Sequence, residues 1–140
     1  MKIKNFIFDV DGVFTDGKFY YTEEGKVMKI FGDADNDALS LLSQYAHIEM
    51  ITGDKRGFNI SQKRIEKDMG YKLTLVSTFE RGDWITKNFK SKETIYMGDG
   101  IYDPLVFNKV AYGICPFNGF ENTKKYADYE ETKEAFDKIL

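Results

Sequence analysis

At 140 residues, 42% of them apolar, the chain can bury a hydrophobic core and reads as one globular domain over residues 1–140. Its formal charge of −3 argues against a broad positive surface for nucleic acid, and no apolar run approaches the length of a signal peptide or a membrane span. One histidine, His47, and one cysteine, Cys115, exclude a multi-histidine metal centre and an intrachain disulfide, so a reducing cytoplasm and chemistry run by carboxylates are expected.

Residues 3–9 are apolar and aromatic and are predicted to form a strand. Residues 19–21 and 27–30 flank the turn sequence Thr22-Glu-Glu-Gly25, the pattern of a β-hairpin over about residues 18–31. Asp35 or Asn36 can cap a helix to about Tyr45, with Ala38, Leu39, Leu41 and Leu42 facing inward. His47 stands at the opening of a strand over 48–52. A helix over 59–69 places Ile60, Ile65 and Met69 on one side and stops at Gly70. The remaining chain is predicted as strands over 73–76, 94–97 and 110–114, with helices over 83–89, 104–108, 121–126 and 131–140. Strands alternating with helices point to an α/β fold: a Rossmann-like, mostly parallel sheet with helices on both faces and a hairpin after the first strand.

In such folds ligands sit beyond the carboxyl ends of the strands. The residues there are Asp9 and Asp11, Thr52 and Gly53, Ser77 and Thr78, then Gly98 and Asp99. Asp9 and Asp11, two apart at a strand exit, can face one pocket, where two carboxylates repel unless a cation lies between them. Mg²⁺ suits carboxylates and phosphate oxygens together. One acid could then attack phosphorus, and the other could protonate the leaving oxygen and later activate water. Taken alone, Asp9-Val-Asp11-Gly12 could equally be a solvated turn. Gly98-Asp99-Gly-Ile-Tyr-Asp103 adds a third ligand in Asp99 and a supporting acid in Asp103, which could also cap the helix opening at Pro104. The Thr52 hydroxyl and the Gly53 N–H suit phosphate oxygens. Arg81 is the candidate phosphate-binding cation, with Lys87 as the fallback and a solvated helix-start arginine as the plain alternative.

Asp9-Val-Asp11-Gly12-Val-Phe-Thr15-Asp16-Gly17, Thr52-Gly53 and Gly98-Asp99-x-x-x-Asp103 resemble motifs one, two and four of the haloacid dehalogenase superfamily, in the same order and after strands. The long first motif followed directly by a hairpin is similar to the capless group typified by 3-deoxy-D-manno-octulosonate 8-phosphate phosphatases, which also includes acylneuraminate 9-phosphate phosphatases. The resemblance implies a phosphatase without a cap domain. Asp9 would be nucleophile and Mg²⁺ ligand. Asp11 would be acid/base and bind Mg²⁺ through its carbonyl, and Asp99 would complete the protein ligands. The substrate class implied is a small sugar or sugar-acid phosphate. The group is tetrameric, its hairpin helping to close a neighbour's site, which implies a homotetramer and a role there for Tyr20, Tyr21, Val27, Met28 and Ile30.

The chain departs from that group in several places. Ala34-Asp35-Asn36 stands where the group carries Arg-Asp-Gly, Asp54 where an arginine follows Thr-Gly, and Arg81 where the third motif has lysine. The glycine-rich tail is replaced by residues 130–140. Loss of two arginines that could grip a sugar-acid carboxylate leaves room for a second reading, a non-catalytic oligomerisation module of the kind found beside sugar-nucleotide enzymes.

Overall fold

The structure, a computed structural model, describes residues 2–130. The strands are β1 (Asn5–Asp9), β2 (Tyr20–Thr22), β3 (Gly25–Met28), β4 (His47–Thr52), β5 (Lys72–Leu75), β6 (Thr94–Met97), β7 (Tyr112–Cys115) and β8 (Tyr129–Glu130). Six of them form one sheet in the order β5-β4-β1-β6-β7-β8, with every neighbouring pair parallel. The chain builds outward from β1 through β4 and β5 on one side, then returns to build β6, β7 and β8 on the other. The order therefore reverses beside β1, which opens a crevice at its carboxyl end. Antiparallel β2 and β3 form the hairpin, separate from this sheet.

The helices are α1 (Ala34–Leu42), α2 (Phe58–Gln62) continued by a π-helical turn over Lys63–Asp68, α3 (Arg81–Asn88), α4 (Pro104–Phe107) and α5 (Glu121–Tyr126). Side chains alternate across a strand, so β1 sends Ile7 to one core and Phe8 to the other. Ile7 packs with Ile51, Ile85, Tyr96, Val106 and Phe107 beneath α3 and α4. Phe8 packs with Leu39, Met50, Ile65 and Leu73 beneath α1 and the π-helical turn. Helices thus cover both faces, and no separate cap is present among the described residues. None of the described helices is long and apolar enough to cross a membrane.

Several predicted boundaries shift. The helix predicted to about Tyr45 ends at Leu42, and its amphipathic stripe is narrow: Leu39 is buried, whereas Ala38 and Leu41 are exposed. The predicted 59–69 helix starts at Phe58 and widens to π geometry, carrying Ile65 into the core before Gly70 turns the chain at φ +82°. The helix predicted from residue 83 starts at Arg81. The strand predicted from residue 110 starts at Tyr112. The two-residue β8 was not anticipated, and the helix predicted over 131–140 lies outside the described residues.

Candidate active site

Asp9 ends β1, and Gly98-Asp99 follow β6, the neighbouring strand across the crevice. Each offers a carboxylate oxygen there, and Asp103 offers a third, all within 4.8 Å of one another. Gly12 brings the backbone hard against them. Its φ is +87°, and a β-carbon at this position would collide with the Asp99 carboxylate. The turn is held by the buried Thr15 hydroxyl, which accepts the Gly12 N–H at 3.2 Å and the Gly17 N–H at 3.1 Å, and by Asn118, which donates to the Gly12 carbonyl at 2.9 Å.

Arg81 reaches the acids from the first turn of α3. A single nitrogen, Nη1, lies 3.0 Å from Asp9 Oδ2, 3.1 Å from the Tyr96 hydroxyl and 3.4 Å from Asp103 Oδ1. The Tyr96 hydroxyl donates in turn to Asp103 Oδ1 at 2.7 Å. Asp103 occupies the N-cap position of α4 but makes no side-chain cap bond; its other oxygen accepts the Gly100 N–H at 2.7 Å. Its carboxylate is therefore committed to the site, and the capping alternative does not hold. Arg81 is buried, so the solvated-arginine alternative does not hold either, while Lys87 is exposed on α3.

The electrostatics call for a cation. Burial lifts the Asp9 carboxyl to about 7, with Asp103 and Asp99 pushing the same way and Arg81 opposing. Burial followed by the charge of Asp103 lifts Asp99 to about 6. Burial works against the Arg81 charge, but Tyr96, Asp9 and Asp103 outweigh it and hold its pKa above the ordinary value. Three carboxylates facing one guanidinium leave two negative charges uncompensated, and an all-oxygen donor set of this kind matches a hard divalent ion. The residues present fit such an ion.

Asp11 lies differently from the sequence expectation of two carboxylates sharing a pocket. Its carboxylate pairs with Lys29 Nζ at 2.9 Å, and the acid that joins Asp9 and Asp99 is Asp103. Thr52 is buried, its hydroxyl accepting the Asp54 N–H at 3.1 Å. Gly53 lies beside the Arg81 guanidinium and the Thr78 hydroxyl; a β-carbon there would sit 3.3 Å from Nη2 and 3.4 Å from Oγ1. The structure thus brings Asp9, Asp99, Asp103, Arg81 and Gly53 together. A cavity of about 260 Å³ opens over Asp9, Arg81 and Asp103, rimmed by Thr78, Ile101, Tyr102 and Phe120. A larger depression of about 410 Å³ lies at the amino ends of β6 and β7, with no acid in its lining.

Sequence reasoning missed Tyr96, Thr15 and Lys29. Tyr96 reads as one more core aromatic in β6, and only strand parity could have turned its hydroxyl toward the site. Thr15 lies inside the first motif, where its sequence position alone gives no sign that its hydroxyl braces the turn.

No family model matches the chain. A 3-deoxy-D-manno-octulosonate 8-phosphate phosphatase of Haemophilus influenzae is 32% identical over 106 residues. That match spans 72% of this chain but 58% of the relative, less than two thirds of its length. The cobalt-bound structure of such a phosphatase from the same species aligns with a TM-score of 0.80 at 25% identity, covering 99% of this chain and 85% of that one. A Vibrio cholerae structure, provisionally named as the same phosphatase, is 30% identical over 92% of this chain and 74% of that one, with a TM-score of 0.78. The Moraxella catarrhalis phosphatase in complex with a magnesium ion, a phosphate ion and a KDO molecule aligns with a TM-score of 0.76 at 26% identity, covering 98% of this chain and 83% of that one. The order of motifs, the sheet and these similarities agree: the chain belongs to the haloacid dehalogenase superfamily, in its capless 3-deoxy-D-manno-octulosonate 8-phosphate phosphatase-like group.

Proposed function

We propose that the chain hydrolyses a small phosphomonoester, a sugar or sugar-acid phosphate, through an aspartyl-phosphate on Asp9 in the presence of Mg²⁺. The observation that carries this reading is the buried cluster of Asp9, Asp99 and Asp103 around Arg81, with its excess of negative charge. Asp9, Asp99 and the Asp11 carbonyl would hold the ion, with Asp103 behind them, and the ion's chemistry when bound is to neutralise phosphate oxygens beside Asp9. The metals in the Haemophilus and Moraxella structures, cobalt and magnesium, support a divalent ion in this group.

Arg81, the Thr52 hydroxyl and the Gly53 N–H hold the phosphoryl oxygens. An Asp9 carboxylate oxygen attacks phosphorus, the new P–O bond forms as the ester P–O bond breaks, and Asp11 gives its proton to the departing alkoxide. Asp11 then takes a proton from water, which attacks the phosphorus and releases phosphate and Asp9. The exposed Tyr20, Tyr21, Met28 and Ile30 of the hairpin support assembly as a homotetramer, and the single cysteine supports a cytoplasmic setting.

The test is a phosphate-release screen over sugar phosphates and p-nitrophenyl phosphate, with and without Mg²⁺. Activity that requires Mg²⁺ is expected, as is its loss in Asp9→Asn with circular dichroism unchanged. Turnover retained by Asp9→Asn overturns the mechanism. No turnover on any substrate by a stable tetramer favours the non-catalytic oligomerisation module, which the missing carboxylate-gripping arginines motivate.

A further inference from the structure

The lysine that closes the hairpin carries a role that the reaction outlined above leaves unassigned. Lys29 follows β3, and its side chain has 0% of its surface exposed. Its ammonium lies 2.9 Å from the Asp11 carboxylate, 2.7 Å from Asp54 Oδ2 and 2.9 Å from the Ser61 hydroxyl. The Asp11 carboxylate and the Ser61 hydroxyl accept hydrogen bonds from the ammonium, and Asp54 adds a second counter-charge. The partners come from three segments, the turn after β1, the loop after β4, and α2, and Asp54 and Ser61 are held apart from Lys29. Asp54 accepts the Gly57 N–H at 3.0 Å and pairs with Lys26 at 2.9 Å, and Ser61 is buried. Lys26 in turn lies 3.7 Å over the Phe19 ring, which ties both strands of the hairpin to the same junction.

A lysine charge without exposed surface is costly unless it is paired and hydrogen-bonded. Lys29 meets both conditions at a point where one partner is the proposed acid/base. It cannot reach solvent, so it does not grip a substrate. We propose that Lys29 is a positioning residue for proton transfer: it fixes the Asp11 carboxylate in place, with Asp54 and Ser61 as the anchors that fix Lys29. This rests on the reading of Asp11 as acid/base.

A misplaced proton donor matters most when the leaving oxygen is basic and least when it leaves readily as an anion. The test therefore compares kcat/KM for phenyl phosphate with that for p-nitrophenyl phosphate, whose phenol is the more acidic, in wild type, Lys29→Met, Ser61→Ala and Asp11→Asn. Lys29→Met is expected to lose about tenfold more on phenyl phosphate than on p-nitrophenyl phosphate, Ser61→Ala less in the same direction, and Asp11→Asn more. Ser61→Ala keeps every charge and serves where Lys29→Met does not fold. Equal losses on the two substrates in Lys29→Met and Ser61→Ala, beside a leaving-group-dependent loss in Asp11→Asn, overturn the positioning role alone. Equal losses in Asp11→Asn overturn the acid/base reading and this proposal with it.

Discussion

At the scale of single residues, the site depends on one nitrogen. Arg81 Nη1 contacts Asp9, Tyr96 and Asp103 at once, while Nη2 lies on the side of Gly53. A lysine ammonium is a point charge that can serve the same three partners. Arg81→Lys is therefore expected to keep kcat/KM within about tenfold of wild type. Arg81→Met removes the one cation that contacts these acids among the described residues and leaves them buried against one another. It is expected to cost about 3–5 kcal/mol in urea unfolding without divalent metal, with part of the loss restored by Mg²⁺. Equal stability of Arg81→Met and wild type would remove the charge argument. Asp9, Asp99 and Arg81 were legible in the sequence because each follows a strand or opens a helix, where chain order alone fixes the sheet edge. Tyr96 and Lys29 were not. The direction of Tyr96 is set by parity within a greasy strand, and Lys29 meets Asp11 only through the path of the hairpin, which no local pattern encodes.

At the scale of elements, alternation and turn chemistry located the strands and most helices, and what escaped were the ends. Ala38 and Leu41 fit a helical stripe but face outward because only Leu39, with half-buried Leu42, meets the sheet. The two residues of β8 are too few to carry a period. The hairpin was legible as a hairpin but not in its surroundings: Tyr20, Tyr21, Met28 and Ile30 remain exposed while Lys26 and Lys29 bind it to the domain. A two-stranded ribbon is marginal alone, and those lysines supply its attachment on one face only. In the proposed tetramer the other face, which carries Tyr20 and Met28, is the contact surface. Tyr20→Asp with Met28→Asp, cross-strand neighbours, is expected to lower the mass found by light scattering from tetramer toward monomer, with the far-ultraviolet spectrum unchanged. An unchanged mass would place the contacts elsewhere.

At the scale of the whole molecule, the acidic centre makes stability depend on pH and metal together. In the unfolded chain Asp9 and Asp99 titrate near 3.8; burial in the folded chain raises them to about 7 and about 6. Between about pH 4 and pH 7 the folded state therefore holds protons that the unfolded state has already lost, and stability falls as pH rises through that window. Asp35, raised chiefly by burial, adds to the fall. Asp54 works in a different range. Burial pushes it up, but bonds from Lys29, Lys26 and the Gly57 N–H prevail and bring it to about 2. Its contribution is present above about pH 4 and is lost as pH drops toward 2. Metal-free protein should thus be most stable near pH 4, with the urea midpoint declining toward pH 7 in the presence of a chelator. Mg²⁺ binds the deprotonated carboxylates, so saturating Mg²⁺ should raise the midpoint more at pH 7 than at pH 5 and flatten or invert the decline. Parallel curves with chelator and with Mg²⁺ would mean that these acids do not form the ion's site.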